Sequence, residues 1–195
     1  MSMRNISTEN VSDMTPPGHT VFLTKMGFAG FSWRAAGITH LCLPQNSEAA
    51  VTRRLSGHGD AVDSPRGWVA ELVARIKAYF DGNTIEFSDI EVDLTGMEAF
   101  RLDIYAAARR LRFGEAVTYG ELARRAGHEG MARETGAALG ANPVPLVVPC
   151  HRIVAAGGRI GGFSAPGGSA TKQKMLEMEG VQIGPSPSAQ QSFGF

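Results

Sequence analysis

Asn142-Pro-Val-Pro-Leu-Val-Val-Pro-Cys-His-Arg-Ile-Val154 is the most informative stretch of the chain. Cys150 stands directly before His151, at the end of an apolar run interrupted by Pro143, Pro145 and Pro149. Proline has no amide hydrogen and pushes the residue before it into extended conformations, so this run is not a regular helix. The thiol therefore sits on a bent, stiff connection. A thiol reacts as its thiolate, and an unperturbed cysteine is mostly protonated at neutral pH, so activation needs an imidazole and a positive charge nearby. His151 and Arg152 offer both as next neighbours. Cysteine is also among the most buried residue types, so Val-Val-Pro-Cys by itself reads equally well as plain core.

The flanks of this stretch are helical. Thr118, with Glu121 three residues on, has the pattern of a capping box and opens a short helix through Leu122 to Ala126, closed by Gly127. A second short helix follows over 131–139, and the pair has the spacing of a helix-turn-helix. Ala132, Gly136, Ala137, Ala138 and Gly140 leave that second helix nearly without bulk, and Arg133 is the long cationic side chain at its start. Such a helix packs tightly on a neighbour or approaches some other surface very closely. Upstream, Thr95 and Glu98 repeat the capping pattern before the stripe Phe100, Ile104, Ala108 and Leu111. Downstream, Gly157, Gly158, Gly161 and Gly162 make a turn-rich passage to Phe163-Ser164, and a last helix is expected over 169–179.

With these flanks, the segment 113–180 resembles the active-site region of the O6-alkylguanine-DNA alkyltransferases (methylated-DNA–protein-cysteine methyltransferases), in which Pro-Cys-His-Arg carries the alkyl-accepting cysteine. The resemblance implies an α/β (α+β) fold. A ribonuclease-H-like α/β domain would span 19–96 and a winged-helix or helix-turn-helix alkyltransferase domain 97–182, between a flexible leader over 1–18 and a flexible tail over 183–195. It implies repair of DNA by irreversible, single-turnover transfer of an alkyl group from flipped-out O6-alkylguanine, and from O4-alkylthymine, to Cys150. His151 would draw off the thiol proton through a water, oriented by Glu179. Asn142 would be the hinge between the small-faced helix and the cysteine segment. Tyr119 would help rotate the nucleotide and donate a proton to the departing base. Arg133 would enter the stack in place of the lost base, with Tyr119, Ala132 and Gly136 against the DNA minor groove. Backbone groups around Cys150, Ile153, Phe163 and Ser164 would read the guanine edge. Phe163 stands where some relatives have tyrosine, and Ala165-Pro-Gly-Gly168 is longer than in some of them.

The amino-terminal half carries no catalytic constellation. Residues 21–43, rich in Phe, Trp, Val, Ile and Thr and punctuated by Gly27, Gly30 and Gly37, have the texture of two or three antiparallel strands with tight turns. A helix is expected over 64–81, with Ser64 as cap, Pro65 in the first turn and Trp68, Leu72, Ile76 and Phe80 on one face. Ile90, Val92 and Leu94 alternate as in one more strand, His40 and His58 read as isolated, and Cys42 as a buried strand residue.

Of 195 residues, 19 are Lys or Arg and 19 Asp or Glu, so the net charge is zero, which argues against a generic nucleic-acid binder. The total hides an asymmetry. Residues 1–96 hold eight basic and eleven acidic side chains and residues 97–195 eleven and eight, a balance of −3 against +3. Two cysteines are too few for a disulfide framework or an all-cysteine zinc site, and no metal or cofactor is expected. The polar start without a hydrophobic segment fits a cytoplasmic protein, and a monomer acting on double-stranded DNA away from membranes is the expectation. Two rival readings differ in outcome: a thiol hydrolase would turn over on an ester or amide, and a non-enzymatic lesion-binding or regulatory helix-turn-helix protein would accept no alkyl group.

Overall fold

A computed structural model of the chain describes residues 15–183; the parts of the leader and tail beyond them lie outside the described residues. Three strands form an antiparallel meander: β1 (Gly18–Thr24), β2 (Gly27–Arg34) and β3 (Gly37–Gln45). A two-residue strand β4 (Asp60–Ala61) pairs parallel to β1, which makes the order β3-β2-β1-β4. The expected strand region is thus three strands, and Cys42 is buried on β3 as foreseen.

Each face of this sheet carries a helix. On one, α1 (Glu48–Leu55) lays Val51 and Leu55 on Cys42, Val21 and Phe28. Gly30 makes room for it, since a Cβ there would lie 2.8 Å from Leu55 Cδ1 and 2.5 Å from the Thr20 carbonyl. This helix escaped the sequence reading because it buries only one i,i+4 pair, too little to register as a period. On the other face, α2 (Gly67–Phe80) packs Leu72, Ile76, Tyr79 and Phe80 against Phe31, Trp33 and Leu41. It begins later than expected and Ser64 does not cap it. Gly67 has φ +55°, outside the right-handed helical region, so the coil cannot extend back to Pro65.

Two further expectations are corrected. Ile90, Val92 and Leu94 form no strand: one bridge joins Val92 to Ile38, through Ile38 N–H to Glu91 O (3.0 Å) and Asp93 N–H to Ile38 O (2.8 Å). Farther along the same edge of β3, Leu41 N–H donates instead to Pro143 O (2.8 Å), so the chain leading to Cys150 occupies the space a longer strand would need. Thr95 caps no helix, because its hydroxyl and amide both bond to Asp93 Oδ1 (2.6 and 3.1 Å), and α3 (Ala99–Arg109) starts without a side-chain cap.

Beyond α3, whose Ile104 and Ala108 are buried as expected, come β5 (Val117–Thr118), α4 (Tyr119–Arg125), α5 (Ala132–Gly140), a 3-10 turn (Cys150–Arg152), β6 (Ile153–Val154) and α6 (Gly168–Met178). Thr118 Oγ1 accepts from Glu121 N–H at 3.1 Å, the expected cap. The reciprocal half of the box is missing, since the Glu121 carboxylate is taken by Arg124 and Arg125. Strands β5 and β6 pair in parallel and fasten the start of α4 beside the turn that holds Cys150. One apolar cluster runs from Phe31 and Trp33 through Tyr79 to Ile104, Val148, Cys150 and Met175, so the two halves share a continuous core. Among the described residues no helix is long and apolar enough to cross a membrane.

Candidate active site

The cysteine segment is held at both ends by one side chain. Asn142 Oδ1 accepts from Val144 N–H (3.0 Å) and its Nδ2 donates to Val148 O (2.9 Å), closing the loop between them. Within that loop Leu146 has φ +79°, a conformation rarely taken by residues that carry a Cβ, held by its burial and by the Val148 N–H to Val144 O bond (2.9 Å). The three prolines and this buried leucine make a stiff mount for the turn that starts at Cys150.

Cys150 is 8% exposed. Burial pushes its thiol above the usual cysteine range, while the Asn142 amide, the Lys172 charge and the backbone N–H groups of Cys150 and His151 pull it back. The balance leaves a thiol rather than a standing thiolate. Arg152, expected beside the sulfur, turns away from it. Its guanidinium donates to Glu179 Oε2 (2.8 Å), Glu179 Oε1 (3.1 Å) and Leu111 O (2.7 Å).

The cation that acts on Cys150 is Lys172, fully buried on α6. Its ammonium donates to Ile153 O and to Gly162 O (3.2 Å) and lies 5.6 Å from the Tyr119 ring centroid and 6.0 Å from that of Phe163. Burial lowers it to about 8, with the Cys150 charge working in the opposite direction, so it is mostly ammonium at neutral pH. The sequence held a signal for it: Lys172, Met175, Leu176 and Glu179 fall at i, i+3, i+4 and i+7, a lysine and a glutamate on an otherwise apolar stripe. We expect Lys172→Met to slow alkylation of Cys150 by iodoacetamide at neutral pH several-fold and to move its pH midpoint upward; an unchanged profile would contradict the electrostatic role.

Behind the sulfur lies a buried polar centre. His151 has no exposed surface, and its Nε2–H donates to Glu179 Oε1 at 2.9 Å. Burial holds the imidazole below its usual range, against the pull of the Glu179 charge, so it is neutral, with the proton on Nε2. Its Nδ1 has no protein hydrogen-bond partner among the described residues. Glu179 also accepts from Tyr79 O–H (2.8 Å) and from Gly114 N–H (3.2 Å). Burial alone would raise the Glu179 carboxyl; the bonds from His151 and Arg152 and their charges override it and hold the group at about 2. Tyr79 is the part of this centre that the sequence did not reveal, and for Arg152 it gave the charge but not the partner, Glu179.

In front of the sulfur is a cleft of about 530 Å³, reached by Tyr119, Gly136, Phe163 and Ser164, with Ala132 and the exposed Arg133 at its rim. Tyr119 O–H donates to Gly162 O (3.2 Å), and Gly136 faces its ring with only 3.8 Å to a hypothetical Cβ. Ile153 is fully buried, and its carbonyl is taken by Lys172. A second cavity of about 390 Å³ reaches Cys150 past Asn142 and Pro145, with His40 and Arg54 on its far wall. The histidine there is not isolated: its ring stacks on His58, centroids 3.8 Å apart.

A thiol between an apolar cleft and a neutral, anchored imidazole suits group transfer to sulfur. Residues 99–181 match the family model described as the DNA binding domain of 6-O-methylguanine DNA methyltransferase. The chain is 42% identical over 117 residues to the methylated-DNA–protein-cysteine methyltransferase of Mycolicibacterium paratuberculosis, covering 60% of this chain and 68% of that one. It is 36% identical over 146 residues to the Mycobacterium leprae protein of the same name, covering 66% and 86%. Among solved structures it resembles Mycobacterium tuberculosis OGT in complex with DNA, with TM-score 0.69 and 31% identity over 83% of this chain and 92% of that one.

Proposed function

This chain belongs to the methylated-DNA–protein-cysteine methyltransferase family, and from that premise we propose which of its residues carry the reaction. It is a DNA-repair methyltransferase that binds DNA and reverses alkylation damage by transfer to a cysteine. Cys150 is the acceptor. The observation that carries this is its place: the sulfur lies at the meeting of the cleft beside Tyr119, the Lys172 ammonium and the Asn142 amide.

The substrate is O6-alkylguanine in double-stranded DNA, with O4-alkylthymine a second one. The nucleotide leaves the stack, at a cost of a few kcal/mol, and Arg133 fills the gap. Helices α4 and α5 form the helix-turn-helix of a winged-helix domain over 97–182, and the small face of α5 at Ala132 and Gly136 lies in the minor groove. Residues 19–96 form the ribonuclease-H-like domain, for which the meander with a parallel fourth strand speaks.

Cys150 Sγ attacks the alkyl carbon, forming an S–C bond as the C–O6 bond breaks. The electron pair stays on guanine, and Tyr119 O–H meets the developing charge. The thiol proton passes through a water to His151 Nδ1, the ring nitrogen that Glu179 leaves bare. Glu179 remains a carboxylate throughout and steadies the imidazolium, as in a hydrolase triad. Phe163 and Ser164, with the backbone at Cys150 and Ile153, hold the guanine edge.

The product is a thioether with no group the protein can expel, so each monomer acts once. Incubation with excess duplex containing O6-methylguanine should stop at one methyl per chain by intact-mass spectrometry. Continued release of methyl from the protein would rule out this mechanism.

A further inference from the structure

The amino-terminal half sends one side chain into the polar centre behind Cys150. Tyr79 is the penultimate residue of α2 and is 1% exposed. Its ring is clasped edge-on by Phe80, Phe87 and Phe113, at centroid distances of 5.1, 5.9 and 6.2 Å, so its hydroxyl has one direction to point. That direction is Glu179 Oε1 at 2.8 Å, with His151 Nε2 at 3.4 Å.

The count of donors on this carboxylate decides what the hydroxyl does. Oε1 accepts from Tyr79 O–H, His151 Nε2–H and Arg152 Nη2; Oε2 accepts from Arg152 Nε and Gly114 N–H. An ionised carboxylate offers about four lone-pair sites, so this one is fully occupied and cannot swing. A phenol this deeply buried stays protonated, since burial and the adjacent Glu179 charge both raise it. It can only donate.

We propose that Tyr79 is a positioning residue for alkyl transfer: by holding Glu179 Oε1 it fixes the His151 tautomer, keeps Nδ1 free for the thiol proton, and makes the amino-terminal half part of the active centre. The inference rests on the reading of Cys150 as acceptor and His151 as its base. Tyr79 touches neither sulfur nor substrate. It also tunes the base, because it shares the Oε1 charge that would otherwise go wholly to His151 and Arg152. The charged and titratable groups facing His151 are Lys172 from α6, Glu179 at the C-cap of that helix, Tyr79 from α2 and the neighbouring Arg152, so the hydroxyl is the one of these that α2 supplies.

The test is Tyr79→Phe in the full chain, which keeps the ring packing and removes one O–H. Single-turnover transfer from O6-methylguanine duplex is followed against pH, beside thermal unfolding and DNA affinity. The expected result is unchanged DNA affinity, a rate about tenfold lower at pH 6, a small part of the range of effects of a positioned acid or base, and an acid limb moved to higher pH. The limb moves that way because Glu179, with one donor fewer, stabilises the imidazolium more. A purely structural role would lower the melting temperature and leave the shape of the profile alone. Superimposed profiles with the unaltered chain active overturn this inference alone; absence of transfer by the unaltered chain overturns the acceptor reading and this inference with it. Nitrogen NMR of the histidine rings in the unaltered protein reads the same point without a variant. His151 protonated on Nε2 and bare on Nδ1 through the neutral range supports the proposal, and the opposite tautomer refutes it.

Discussion

Cys150→Ala should bind alkylated duplex within a few-fold of the unaltered chain and accept no alkyl group, a loss on the order of 10⁴-fold or more, as when the nucleophile of a triad is removed. Binding survives because the rim residues Arg133, Ala132 and Gly136 sit on α5 and do not depend on the sulfur for their position. The fold should tolerate the change, since one buried sulfur is replaced by a smaller apolar group at roughly 1 kcal/mol. No second thiol can substitute: Cys42 lies on the α1 side of the sheet and burial pushes its thiol up as well. Fluorescence anisotropy with labelled duplex and intact-mass spectrometry measure the two halves of this expectation. Alkyl recovered on Cys42 or elsewhere would displace Cys150 from the acceptor role.

Glu179→Ala should damage both stability and reaction. It strips the Arg152 guanidinium of its principal counter-charge, leaving Leu111 O and a more distant Glu86 at 3.7 Å, and it leaves His151 Nε2–H and Gly114 N–H without their acceptor. Removing one member of a buried ion pair costs about 3–5 kcal/mol, much of it for the charge left behind. Urea unfolding measures that loss, and single-turnover transfer should fall about 100-fold as His151 loses its anchor.

The same centre predicts how the unaltered chain responds to acid. The Glu179 carboxyl is held at about 2 against an ordinary 4.5, so it contributes stability that is present above 4.5 and lost as pH falls towards 2. His151 is held neutral below its ordinary 6.5, so the unfolded chain takes up that proton first and stability already begins to fall below 6.5. The two effects have the same sign. Unfolding free energy of the unaltered chain should fall as pH is lowered from 7 to 4, first through His151 and, below 4.5, through Glu179 as well; a flat curve would mean the two groups are not held as described.

Much of this was legible in the chain before any coordinates, and the legible parts share a cause. The three strands, the stripes of α2 and α3, the Thr118 cap and the small face of α5 depend on residues a few positions apart, where periodicity and capping act. The same is true of the stiff Pro-Cys-His-Arg connection and of Asn142, whose partners are two and six residues away. The misreadings have a common cause too. Ser64 and Thr95 have the right residue types for caps, but Gly67 and Asp93 redirect the backbone. Ile90, Val92 and Leu94 have the alternation of a strand, but the edge they would pair with is partly given to Pro143.

Sequence alone determined which sulfur is set on a rigid turn and which helix is thin enough to come close to another surface, because both follow from local backbone restriction and side-chain size. Tertiary structure decided what surrounds that sulfur. It turned Arg152 from Cys150 to Glu179, brought buried Lys172 within electrostatic reach of the thiol, and placed Tyr79 on a carboxylate 100 residues away. Short-range patterns encode direction along one element only; the meeting of a hydroxyl from α2 with the charged groups of α6, its C-cap and the 3-10 turn depends on how those elements pack, and burial then sets which groups stay ionised.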